Sequence, residues 1–106
     1  MGEKQIEIIV QDYVRTLRNH KITVERAILY GSQASNTADQ DSDIDVVIVS
    51  ENFGHDYIKE AVELKLLALE INPDISPRPY STKDYSNSKP GSFLFDEVIQ
   101  KGRVVV

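Results

Sequence analysis

Residues 27–50 read AILYGSQASNTADQDSDIDVVIVS, and the organisation of the whole chain follows from them. Two apolar runs, 27–30 and 44–49, predict neighbouring strands joined by a polar connection. Successive strand residues alternate faces, so Asp43 and Asp45 project to one side, with Ile44 and Val46 on the other. The run Val46-Val47-Ile48-Val49 is apolar on both faces, as in a strand covered on each side. Two carboxylates at the mouth of such a strand suit a hard divalent cation, and Mg2+ typically takes one or two carboxylates together with substrate phosphates. Gly31-Ser32 directly follows the first strand. Glycine there permits a tight turn and a close approach of backbone to a ligand. The next residues, with free N–H groups and the Ser32 hydroxyl, suit a phosphate.

Gly31-Ser32, ten intervening residues and then Asp43-Ile44-Asp45 resemble the GSx10DxD signature of the DNA polymerase β-like nucleotidyltransferase superfamily. The short length resembles its minimal nucleotidyltransferase branch, often the antitoxin half of paired HEPN/MNT systems. That resemblance implies an α/β (α+β) fold, a small mixed β-sheet with helices packed on it. It also implies two Mg2+ ions bridging Asp43 and Asp45 to a nucleoside triphosphate, with Gly31 and Ser32 on the phosphates. The implied reaction moves an NMP, by analogy AMP from ATP, to a hydroxyl of a HEPN-type partner protein. Family members commonly carry an Arg and a Gly just after the GSxA unit, where this chain has Ser35 and Asn36.

The chain's 106 residues, 41% hydrophobic and 27% charged, fit one globular domain over 1–106. Little beyond a catalytic core is expected in that length, so the surface orienting an acceptor is expected from another chain. A formal net charge of −5 argues against broad, unspecific nucleic-acid binding. The chain has no cysteine, hence no thiolate site or disulfide, and only two histidines, His20 and His55. The first residues lack a signal-peptide core and no stretch is long enough to span a membrane, so a cytoplasmic location is expected.

Elsewhere, Ile6, Ile9, Val10, Tyr13, Val14 and Leu17 mark an amphipathic helix over 4–19, with His20 as a surface or capping residue. Tyr30 reads as a core aromatic. Residues 54–71 predict the longest helix, with Ile58, Ala61, Val62, Leu66 and Leu69 as its core stripe, widened by Leu64, Leu67 and Ala68. Part of so wide a stripe could meet a partner protein. Residues 74–80, DISPRPY, predict a third strand that pairs on one side only, because Pro77 and Pro79 lack N–H donors. Asp74, Ser76, Arg78 and Tyr80 share its other face. The superfamily's third carboxylate falls at Ser76, and Ser can be neither a charged ligand nor the base. Asp74 is the candidate substitute, and Arg78 a candidate phosphate contact. Ser81 to Asp84 form a capping box, and 92–101 a short helix with Phe93, Leu94, Phe95, Val98 and Ile99 as its apolar side, ended by Gly102. The missing third carboxylate leaves a second reading open: a catalytically silent module that neutralises a partner by occlusion. A nucleotide sensor that binds without transferring is a third.

Overall fold

The order of apolar runs becomes a four-stranded mixed sheet in the computed structural model, which describes residues 3–31 and 43–106. Ser32, Asp39 and Asp41 lie outside the described residues. The elements are α1 (Glu3–Asn19), β1 (Arg26–Leu29), β2 (Ile44–Ser50), α2 (Tyr57–Leu69), β3 (Ile75–Ser81), α3 (Thr82–Ser86), a π-helical turn (Leu94–Ile99) and β4 (Arg103–Val104). Strand order is β3-β2-β1-β4, with β2 central between an antiparallel β1 and a parallel β3.

β2 is apolar on both faces because both are covered. Ile44, Val46 and Ile48 pack with α1 and α2, in one core with Ile6, Val10, Tyr13, Val14, Leu17 and Leu64. Val47 and Val49 pack on the other face with Ile28, Tyr30 and the π-turn residues Leu94 and Val98. Gly102 seals that side. A Cβ there would lie 2.2 Å from the Val98 carbonyl and 2.8 Å from the Leu29 carbonyl, so only glycine lets the chain pass into β4.

α1 buries the predicted stripe, and the Tyr13 hydroxyl donates to the Leu64 carbonyl at 2.6 Å, tying α1 to α2 through the core. Burial raises the Tyr13 pKa far above its ordinary value, which keeps the phenol a donor. α1 ends in a Schellman arrangement: Ile22 N–H donates to Leu17 C=O (3.1 Å) and Lys21 N–H to Arg18 C=O (3.0 Å), with Lys21 at φ 66°. α2 starts at Asp56, whose carboxylate accepts from Lys59 N–H. The Glu60 carboxylate accepts from the N–H groups of Gly54, His55 and Asp56. Slight desolvation opposes these donors, yet they hold its pKa below the usual range.

α2 does not face the sheet as its sequence suggests. Leu64 and Ala68 are buried and Leu67 partly so, whereas Ile58, Val62, Leu66 and Leu69 point to solvent. Both sides of the helix are apolar, so periodicity alone cannot choose between them. The β2-α2-β3 crossover and the reach of Tyr13 make the choice.

β3 lies at the sheet edge. Ile44 N–H donates to the Asp74 carbonyl at 2.8 Å, so in this parallel ladder the even-numbered residues of β3 turn their backbone groups to β2. The odd-numbered ones turn outward, and there stand Pro77 and Pro79. The exposed edge lacks two donors, which discourages another strand from adding.

Candidate active site at the start of β2

Three strands bring the candidate residues to one end of the sheet. Tyr30 N–H donates to the Asp45 carbonyl at 3.1 Å, continuing the β1–β2 register so that Tyr30 stands opposite Asp45. On the other side the register sets Ser76 beside Asp45 and Arg78 beside Val47. Cross-strand neighbours share a face, so Tyr30, Asp45 and Ser76 form one row and Arg78 begins the next. The resemblance implied Ser76 at the third-carboxylate position, and the register sets it next to Asp45.

Gly31 leaves β1 with φ +70°, the left-handed region that favours glycine. A Cβ at this position would lie 2.9 Å from Asp45 Oδ2. The carboxylate thus occupies the space that glycine vacates, and Gly31 and Asp45 stand against each other.

Asp45 is half-buried, and its pKa is raised first by burial and then by the charge of Asp43, while Arg78 partly counters both. A cation placed between the two carboxylates would relieve this tension, so the pair fits the hard divalent ion that the motif suggests. Asp74 precedes β3, with its N–H donated to Asn72 Oδ1 and its carbonyl engaged by Ile44. Among the described residues, no three acidic or imidazole groups gather as a metal-holding cluster. The structure therefore brings Gly31, Asp43, Asp45 and Arg78 to the same end but does not add Asp74 as a third member of such a cluster.

Phe93 is the residue that sequence reading missed. Its helical spacing assigns it to the core, yet the ring is 40% exposed, with the Arg78 guanidinium 4.8 Å from its centroid. The Tyr30 ring meets it edge-on at 5.6 Å. Phe93 precedes the π-helical turn that buries Leu94 and Val98, and stays outside it. The stack fixes the direction of Arg78 by a cation–π contact. Burial foremost pushes the Tyr30 pKa up to about 12; Asp45 adds to the rise and Arg78 opposes it. Tyr30 is therefore a neutral wall and not a base. Around Asp45 stand a neutral phenol, a serine hydroxyl, the Asp43 carboxylate and one oriented cation.

The family model described as "Nucleotidyltransferase domain" matches residues 8–99. In fold the chain is similar to a crystal structure from Sulfolobus solfataricus described as a "putative nucleotidyltransferase", with TM-score 0.66 and 11% sequence identity over 96% of this chain and 80% of that one. At that identity the likeness is one of fold. No curated protein matches.

Proposed function

The chain belongs to the nucleotidyltransferase-domain family, and on that premise we propose that it moves an NMP, AMP from ATP, to a hydroxyl of a partner protein, as antitoxin to a HEPN-type toxin. The observation that carries the reading is the Asp45 carboxylate, half-buried against Gly31 and raised by its neighbour Asp43. Asp43 and Asp45 would hold Mg2+. When bound, the ion supplies charge neutralisation on the phosphates and the leaving pyrophosphate. The chain's own residues do the positioning. Gly31 lets backbone approach the phosphates, Ser32 donates to them, and Arg78, steadied by Phe93, offers a charged donor from the adjacent strand. Tyr30 and the apolar layer behind it exclude water from one side of Asp45. The acceptor hydroxyl comes with the partner, and its proton leaves to solvent or to a partner group, since Ser76 is no base.

Ser76 beside Asp45 favours a second reading, in which the chain neutralises its partner by occlusion. The two separate in one experiment: transfer of label from α-labelled ATP and the other NTPs with Mg2+, with the protein encoded beside it as acceptor, for the parent and for Asp43→Ala/Asp45→Ala. Label on the acceptor that disappears in the double variant supports transfer. Absence of label, with partner binding intact in the double variant, overturns transfer in favour of occlusion.

A further inference from the structure

Four large apolar side chains on α2 face solvent: Ile58 is 75% exposed, Val62 52%, Leu66 60% and Leu69 52%. At 100° per residue they fall within an arc of about 80° on the helix. Isolated exposed apolar residues are ordinary, but an aligned row of four on one helix marks a contact surface. One flank of the row is charged, with Lys59 near the start, Glu63 at the midpoint and Glu70 at the C-terminal cap. None of these side chains has an ion-pair partner among the described residues. The opposite flank is not available in the same way: Lys65 Nζ is turned back to the carbonyls of Pro73 (3.1 Å) and Ile75 (2.6 Å).

We propose that α2 pairs with α2 of a second copy of this chain, antiparallel about a two-fold axis through the middle of the helix. The charge pattern selects this occupant and this direction. In an antiparallel pair like flank meets like flank and start meets end, so Lys59 faces Glu70 of the second copy, twice by symmetry. A parallel pair would turn each charged flank towards the opposite flank of its partner, where Lys65 is already engaged, and would keep Lys59 and Glu70 apart. The same axis packs Val62 on Leu66 of the second copy at the centre, and Ile58 on Leu69 at each end. The row self-complements in sequence position and apolar character, and its charged flank does so at the two ends, where Lys59 meets Glu70, while Glu63 lies beside the axis. It lies on the sheet side covered by α1 and α2, whereas Asp45 lies on the side covered by Leu94 and Val98. Pairing therefore leaves both carboxylate sites open. The inference is independent of the transfer reaction.

One helix per copy is a small interface, so dissociation is expected at roughly 10–100 µM. Sedimentation velocity on the full chain from about 2 to 500 µM tests the pairing. A reversible monomer–dimer equilibrium is expected. Leu66→Glu should weaken it at least tenfold while leaving the circular dichroism spectrum and Tm unchanged, because Leu66 is exposed. Lys59→Glu and Glu70→Lys alone should each weaken it about three- to tenfold, and the double exchange should restore most of the loss. A monomer at every concentration overturns the pairing. So does a dimer indifferent to Leu66→Glu, or a double exchange no better than its single variants.

Discussion

The two ends of β2 treat polar groups in opposite ways. At the C-terminal end Ser50 is fully buried, and its hydroxyl lies 3.1 Å from Thr23 Oγ1, accepts from Asn52 N–H at 3.0 Å and donates to Asn52 Oδ1 at 3.2 Å. Asn52 Oδ1 also takes Thr23 N–H and Oγ1–H, both at 2.8 Å. These bonds hold β1's approach, β2 and the exit turn together. At the N-terminal end two carboxylates stand side by side, one of them raised by burial and by the other's charge. Buried polarity that is satisfied holds a fold together, and polarity left in tension awaits a ligand. The same strand does both within seven residues.

Substitutions at the two ends should therefore separate activity from stability. The largest effect is expected from Asp45→Asn: transfer activity should fall on the order of 10³-fold or more, while the metal-free protein unfolds no earlier than its parent. The pH dependence follows from the raised pKa. The folded state holds the Asp45 proton more tightly than the unfolded state, so the parent loses nothing to this group below about pH 3.9, the ordinary carboxylate value. It loses stability as pH rises through the folded value. Thermal unfolding of parent and Asp45→Asn in chelator should converge in acid and separate towards pH 7; a gap that widens in acid would break the comparison. Gly31→Ala comes next. Its Cβ would press on Asp45 Oδ2 at a φ that costs roughly 1–2 kcal/mol, and displacing the carboxylate should lower activity by about 10- to 100-fold.

At the other end, Ser50→Ala should cost about 1–2 kcal/mol in urea unfolding by leaving Asn52 N–H without its acceptor, with kcat and KM unchanged. The smallest effect is expected nearby, at the turn that leads into Thr23. Lys21 holds φ 66° without being glycine, so Lys21→Gly should stabilise by about 0.5–1 kcal/mol with no change in activity. A loss of activity in either variant would show that the two ends communicate.

How much of this was legible depended on how local the signal was. Asp43, Asp45 and Gly31 lie near one another in sequence, and period-two alternation suffices to put the carboxylates on one face. Ser76 was reached through the resemblance alone, as the position of the superfamily's third carboxylate, and its register beside Asp45 came only with the structure. The orientation of α2 could not be read, because two apolar arcs on one helix give no preference until the crossover and the α1 contact are in place. The Phe93–Arg78 stack was hidden for a different reason: the residues are distant in sequence and the widened π-turn breaks the helical period that would predict where Phe93 points. The Thr23–Ser50–Asn52 network was invisible because serine, threonine and asparagine near strand ends read equally well as solvated loop. Ser32, named with Gly31 as a phosphate contact, lies outside the described residues.

The prolines of β3 have one more consequence. Each fixes its own φ near −65°, and each bars the helical region to the residue before it. Ser76, Pro77, Arg78 and Pro79 are thus biased towards an extended path while the chain is still unfolded. The unfolded ensemble has fewer shapes to give up along this strand than along any other of equal length. The row that carries Ser76 and Arg78 is therefore partly straightened before it docks, and what remains mobile there after docking is chiefly the side chains.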